Sequence, residues 1–225
     1  MTDENPQDTA SALRTRLRAA RAAMPAASRE RGALLIRARL FAWLGVYRNQ
    51  CAAAGHRPPV VVAGYWPMAD EPDLRTLLTQ WADDPTLTVA LPVINTRQAP
   101  LRFDRWYADM AMIPGVYGIP VPETSEPLMP EVVLVPTLGY TPQGDRVGYG
   151  AGYYDRSLAA WRLAGHHPIT IGIAWTVGQL DASYAPKPHD QRLDAILTQD
   201  SWLPAAPGQA TSASTQTLLT ARIGG

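Results

Sequence analysis

The sequence predicts an α/β fold, a mostly parallel sheet covered by helices on both faces, and three observations predict it. Short, continuous apolar runs, Val60–Ala63, Val132–Val135 and Ile169–Ala174, have the pattern of strands buried on both sides. Stretches with apolar residues at helical spacing separate these runs. Strands alternating with helices form βαβ units, and such units build parallel sheets. Ligands bind beyond the carboxyl ends of the strands in sheets of this kind.

Taken in order, residues 1–10 are polar and acidic and read as a disordered leader. From Ser11 to Met24, Leu13, Leu17, Ala20 and Met24 recur at helical spacing with Arg14, Arg18 and Arg21 between them, and Pro25 ends that helix. Ser28 then caps a second helix carrying Leu34, Leu35, Ala38 and Phe41. Gly45–Pro59 reads as a linker, and Val60–Ala63 as the first strand. Asp70 caps a helix containing Leu74, Leu77, Leu78 and Trp81, with Pro72 near its first turn. Leu87–Leu91 and Leu101–Trp106 are strands, and the proline-rich Ile113–Pro130 is loop. After the strand Val132–Val135 come a helix from Tyr153 to Ala164 and the strand Ile169–Ala174. Residues 11–204 form a single α/β catalytic domain on this reading, and 205–225, rich in Ser, Thr, Ala and Gly, a flexible tail.

Composition narrows the function. The formal net charge is zero, which argues against bulk binding to nucleic acid or a membrane surface. The single cysteine, Cys51, has no partner for a disulfide or a metal site. No stretch approaches the roughly 18 apolar residues of a membrane helix, and the N-terminus lacks the apolar core of a secretory signal. A cytoplasmic protein is expected, either a monomer or a weak homodimer.

Chemistry concentrates in Arg146–Arg156 (RVGYGAGYYDR). Gly148, Gly150 and Gly152 alternate, so backbone N–H groups can approach an anion closely, and the following helix N-terminus adds partial positive charge. Tyr153 stands where a dinucleotide fingerprint needs glycine, and Asp145-Arg146 follows Gly144 where a P-loop needs Lys-Ser/Thr. The stretch is a phosphate loop of another kind, with Arg146 for phosphate oxygens and Asp155 for magnesium; the alternative is a tight turn whose Asp and Arg cap the helix. Asp190 offers a second carboxylate, or a turn cap, and His189 reads as an ordinary turn residue. Trp66 could stack on a flat heteroaromatic ring while Glu71 accepts its N–H groups; the alternative packs Trp66 in the core and puts Asp70-Glu71 in a helix's first turn. Arg14, Arg16, Arg18 and Arg21 form a solvated helix face unless that helix folds back over the glycine loop, where Arg14 could reach phosphate.

Together LRTRLRAARAAM, YWPMADEPD, GDRVGYGAGYYDRSL and HDQRLDAILT resemble the 5-formyltetrahydrofolate cyclo-ligase family, also called 5,10-methenyltetrahydrofolate synthetase, in order from Leu13 to Asp200. The resemblance implies a three-layer α/β/α sandwich, like that of phosphosugar isomerases and coenzyme A transferases. It also implies ATP- and Mg²⁺-dependent closure of 5-formyltetrahydrofolate to 5,10-methenyltetrahydrofolate, releasing ADP and phosphate. Carried over by position, Arg14 and the loop Arg146, Val147, Gly148, Tyr149, Gly150, Ala151, Gly152, Tyr153 and Tyr154 bind ATP. Trp66, Glu71, Tyr149 and Tyr153 meet the folate, Asp155 and Asp190 hold Mg²⁺, and Arg146, Tyr153 and Asp155 are catalytic. The chain departs from some members at Ala10, where they carry Lys, and at Ala151, where they carry a basic residue. Asp155→Ala is expected to abolish turnover and leave the fold intact. Two rivals are an isomerase or transferase on the same fold and a silent folate- or nucleotide-binding regulatory module.

Overall fold

A computed structural model describes residues 6–209. The chain runs through α1 (Pro6–Ala22), α2 (Ala26–Ala53), β1 (Val61–Ala63), α3 (Arg75–Ala82), β2 (Thr88–Val93), β3 (Arg102–Trp106), β4 (Met112–Pro114) and β5 (Pro120–Pro122). It continues through β6 (Val132–Pro136), β7 (Gly139–Tyr140), β8 (Arg146–Val147), α4 (Tyr153–Leu163), β9 (Ile169–Ile173), β10 (Ala195–Leu197) and β11 (Trp202–Leu203). Seven strands form the main sheet in the order β11-β10-β9-β6-β1-β2-β3. Its inner pairs are parallel, whereas β3 and β11 close the two edges antiparallel.

Side chains alternate between the faces of a strand, and that alternation sorts the core into layers. Val62, Val132, Leu134, Ile171 and Ile173 face α2 and α3, meeting Ile36, Leu40, Leu44, Leu77, Leu78 and Trp81. Ala63, Val133, Val135 and Ile196 face the other way and meet Leu158 and Trp161 of α4. The result is the expected three-layer arrangement. Helix α1 belongs to neither layer. Its Leu17 packs with Leu138, Val147 and Leu180 in a small third cluster built on the loops after β6.

Several local expectations change. Helix α1 begins at Pro6, inside the expected leader, because proline suits a helix's first turn; residues 1–5 lie outside the described residues. Helix α2 starts directly after Pro25, with no side-chain cap, so Ser28 is an ordinary exposed residue within it. Its core row is Ala33, Ile36, Leu40, Trp43 and Leu44, while Leu34 and Phe41 stay 58% and 56% exposed. Gly32 lies on the same face, where a Cβ would lie 2.7 Å from the buried Trp175 ring. The expected linker from Gly45 is helical as far as Ala53, with Tyr47 stacked on Trp43 at 5.6 Å.

Asp70 caps no helix; it sits in a turn and pairs with Arg29 at 3.2 Å. Pro72 holds the residue before it out of helical geometry, and α3 starts only at Arg75, whose N–H donates to Asp73 at 2.9 Å. Within the expected loop 113–130, β4 and β5 form an isolated ribbon. Its Pro114, Pro120 and Pro122 lack donors that only a longer sheet would need. The flexible-tail expectation fails at its start, because Ala206 is buried and the Pro207 carbonyl accepts the Trp43 indole N–H at 2.9 Å. Residues 210–225 lie outside the described residues.

Candidate functional site

From β1 the chain proceeds to β2 and β3 on one side, whereas β6, β9 and β10 extend on the other. The strand order therefore reverses between β1 and β6, the place where open α/β sheets bind ligands. Two segments emerge there. One is the turn Gly64–Pro72 after β1; the other runs from Thr137 to Gly152 after β6.

The first segment carries the aromatic and acidic pair expected to meet a flat ring. Trp66 is half-buried, edge-on to Trp106 at 6.2 Å, with the Arg75 guanidinium 6.0 Å from its ring centre. Glu71 is only 8% exposed, and its Oε2 accepts the Met68 N–H at 2.8 Å. Burial pushes its carboxyl above the usual range; the Tyr149 hydroxyl, the Met68 N–H and Arg21 pull it back, in that order.

The second segment begins as the β7–β8 hairpin and delivers Arg146, which is buried. Arg146 Nη2 donates to Asp155 Oδ1 at 2.8 Å, and the same oxygen accepts the Gln191 N–H at 3.0 Å. That second bond draws the Asp190 segment to the first turn of α4. The Asp190 Oδ2 itself accepts the Lys187 N–H at 2.8 Å, in a tight turn. Gly150 and Gly152 have φ of 104° and 67°, left-handed conformations that glycine adopts without a Cβ clash.

Helix α1 does fold back over this loop. Arg14 Nε donates to the Gly148 carbonyl at 3.1 Å, and its guanidinium carbon lies 3.4 Å from where a Gly150 Cβ would stand. Arg156 reaches from α4 to the Ala151 carbonyl at 2.6 Å and lies 5.1 Å over the Tyr153 ring. Three guanidiniums, of Arg14, Arg146 and Arg156, thus surround a loop that leads into the α4 N-terminus, an arrangement suited to an anion.

Not every loop residue faces that space. Val147 packs in the third cluster, and Tyr154 packs against Phe103 at 6.5 Å in the α4 layer. Val147 in β8 and Tyr154 in the first turn of α4 support the glycine loop from behind. Tyr149 bridges the two segments: its hydroxyl accepts from Arg21 Nη1 and donates to Glu71 Oε1. Burial and the neighbouring Glu71 charge push the Tyr149 phenol far up, so it stays a neutral hydroxyl.

Among the described residues, no group of three or more His, Cys, Asp or Glu side chains clusters as a self-sufficient metal site. Magnesium does not need one, since it commonly takes one or two carboxylates together with phosphates and water. Asp155 Oδ1 is engaged by Arg146 and the Gln191 N–H, and Asp190 Oδ2 by the Lys187 N–H, so each carboxylate has one further oxygen. The buried Nε atoms of Arg146 and Arg156 also have no partner among the described residues.

Sequence reasoning passed over three residues here. Arg21 was one arginine among four, yet it shares a helix face with Arg14 and Leu17, and that spacing was the available signal. Arg156 was hidden because its role depends on the loop curling back to it. Tyr117 has φ 61° and an exposed ring, and the neighbouring Tyr153 pushes its phenol up. A separate cleft of about 540 Å³ opens beside β3, lined by Asn95, Leu101, Phe103, Leu128 and Trp161 among others. No residue expected in the site lines it.

A family model described as the 5-formyltetrahydrofolate cyclo-ligase family matches residues 6–199. A curated Mycoplasma pneumoniae protein described as 5-formyltetrahydrofolate cyclo-ligase is 35% identical over 77 residues, 34% of this chain. That match spans only 44% of the relative's length. Among solved structures, an Aquifex aeolicus 5,10-methenyltetrahydrofolate synthetase superposes with a TM-score of 0.68 at 20% identity, covering 89% of this chain and 95% of that one. A 5,10-methenyltetrahydrofolate synthetase from Mycoplasma pneumoniae superposes with a TM-score of 0.59 at 19% identity, covering 84% and 98%. These likenesses bear on the fold. Among the described residues, no helix is long and apolar enough to cross a membrane.

Proposed function

The chain belongs to the 5-formyltetrahydrofolate cyclo-ligase family, and from that premise we propose that it closes 5-formyltetrahydrofolate to 5,10-methenyltetrahydrofolate, consuming ATP and releasing ADP and phosphate. One observation carries the reading: a guanidinium-rimmed glycine loop and the buried Glu71 meet through a single side chain, Tyr149, at the switch point of the sheet. A triphosphate on the loop and a pterin on Glu71 would then lie side by side.

The chemistry asks for that adjacency. The formamide oxygen at N5 is a poor leaving group, so attack by N10 on the formyl carbon would have to expel oxide. Transfer of the γ-phosphoryl group to that oxygen makes it phosphate, which leaves once N10 has attacked the formyl carbon and given up its proton, closing the ring. Such transfer needs alignment and charge neutralisation more than covalent help from protein. Arg14 and Arg146 pair with phosphate oxygens, and the loop amides with the α4 N-terminus hold the rest of the charge. Glu71 accepts hydrogen bonds from pterin N–H groups, Trp66 offers a stacking face, and Tyr153 stands between loop and substrate. Mg²⁺, held by Asp155 and Asp190 with the phosphates, would add charge neutralisation. No protein nucleophile is required, and Cys51, near the end of α2, takes no part.

The test is one assay with purified protein, 5-formyltetrahydrofolate and ATP with Mg²⁺, following the methenyl chromophore. Its growth should require all three components. Binding of both substrates without any chromophore would identify a silent binding module and defeat the proposal.

A further inference from the structure

Arg21 is 4% exposed, while Arg16 and Arg18 on the same helix are open to solvent. Burying a guanidinium costs several kcal/mol unless charge and hydrogen bonds compensate. Here Nη2 donates to the Thr137 carbonyl at 2.8 Å, at the carboxyl end of β6, and Nη1 donates to the Tyr149 hydroxyl. Among the described residues no carboxylate pairs with Arg21 directly. Its counter-charge is Glu71, one hydroxyl away, which accepts from Tyr149 on Oε1 and from the Met68 N–H on Oε2. A continuous row of hydrogen bonds therefore joins α1, the end of β6, the glycine loop and the turn after β1.

We infer that Arg21 is a positioning residue: acting through the Tyr149 hydroxyl, it holds Glu71 as an anion and in the orientation that a pterin's N–H donors require. The inference rests on the proposed folate site and adds a residue to it. Tyr149 is a neutral donor; without a cation behind it, nothing else in this row opposes the desolvation of Glu71 with full charge. Arg18 lies 5.8 Å over the Tyr149 ring but is open to solvent, where water screens its charge, and the other titratable groups facing Glu71 supply no cation. Tyr65 after β1 and Tyr154 on α4 both feel the Glu71 charge, and burial keeps both neutral. Asp70, in the same turn, is turned to Arg29 of α2.

The sign follows directly. Burial already favours the protonated form of Glu71, and Arg21 opposes it. Removing the Arg21 charge lets protonation occur at higher pH, so the acidic loss of folate binding begins earlier as pH falls. A protonated Glu71 places an O–H where the ring N–H groups need an acceptor.

Two readouts test this on the full-length protein. The first is the ¹³C carboxyl titration of Glu71 by NMR with no ligand present, assigned by its disappearance in Glu71→Gln. Its midpoint should rise by about one pH unit in Arg21→Met, a tenfold change in proton affinity, and return most of the way in Arg21→Lys. Arg21→Gln, which keeps an N–H donor for the Tyr149 hydroxyl and removes the charge, should move it in the same direction and serves where Arg21→Met folds poorly. The second is KM for 5-formyltetrahydrofolate against pH, whose acidic limb should shift with the NMR midpoint while kcat at its plateau changes less. A midpoint unmoved in both Arg21→Met and Arg21→Gln overturns the inference. A wild-type protein with the NMR behaviour but no turnover would instead count against the proposed reaction, so the two failures are separable.

Discussion

At the scale of single residues, Asp155 carries the sharpest prediction, and the structure changes which substitution tests it. Its Oδ1 holds both the buried Arg146 and the Gln191 N–H. Cutting the carboxylate away would strand Arg146 in the interior, which costs about 3–5 kcal/mol. Asp155→Ala should therefore lose stability as well as activity, against the expectation from sequence that the fold survives intact. Asp155→Asn retains an oxygen for both donors and removes only the charge. It keeps both hydrogen bonds but leaves the buried Arg146 charge without its carboxylate, so its melting temperature should fall less than that of Asp155→Ala while turnover falls at least a hundredfold, as about 3 kcal/mol of lost transition-state stabilisation requires. Near-normal turnover in Asp155→Asn would remove the carboxylate charge from the chemistry. The residue scale is also where the sequence was most legible. Glycine spacing, one arginine and an acid nine positions on marked the loop, because a local turn needs only local residues. Arg21 and Arg156 were not legible as site residues, since their contacts are made to carbonyls and a hydroxyl that the chain alone does not place.

At the scale of elements, α1 is the piece whose position decides whether the loop is rimmed with charge. It touches the rest through Leu17 in the small third cluster, through Arg14 on Gly148 and through Arg21 on Thr137. The main cores do not hold it. Leu17→Ala, at a site 5% exposed, should cost about 2 kcal/mol, the low end for a buried leucine because the cluster is small. That loss should appear as faster amide exchange confined to α1, since local opening follows local packing, together with a several-fold rise in KM for ATP. An unchanged KM for ATP in a variant whose α1 exchanges freely would detach the helix from nucleotide binding. Periodicity found α1 but misjudged α2, and the reason is physical. Helix α2 has apolar residues on more than one side, so spacing alone does not choose between the Leu34–Phe41 row and the Ile36–Leu40–Trp43 row. Gly32 stands on the buried row, where a Cβ would meet the Trp175 ring at 2.7 Å, and Trp175 is far away in sequence. The same limit explains Asp70: Asp73, beyond Pro72, is the acid that meets the first amide of α3.

At the scale of the whole molecule, alternation of strands and helices was enough to foresee a parallel sheet in three layers, but not its edges. Strands β3 and β11 follow their neighbours after short connections, too short for a crossover, so they pair antiparallel. Nor does periodicity reveal that the order reverses between β1 and β6, which is what brings two distant segments to one place. That reversal has a thermodynamic consequence. The glycine loop and the Glu71 turn are separate in sequence yet share the Tyr149 hydroxyl, so a ligand that orders one segment removes freedom from the other. A second ligand then meets a segment already ordered, and the two binding events favour each other. Coupling of this kind is reciprocal: the factor by which ATP tightens folate must equal the factor by which folate tightens ATP. With a non-transferable ATP analogue to stop turnover, calorimetric Kd values measured for each ligand with and without the other should give one common factor, about five- to tenfold, corresponding to about 1–1.4 kcal/mol. Tyr149→Phe should bring that factor close to one, since it cuts the only hydrogen bond from the loop to Glu71 among the described residues. If wild type shows no coupling, or if Tyr149→Phe leaves it unchanged, the two substrates bind as independent guests and the shared tyrosine has no part in linking them.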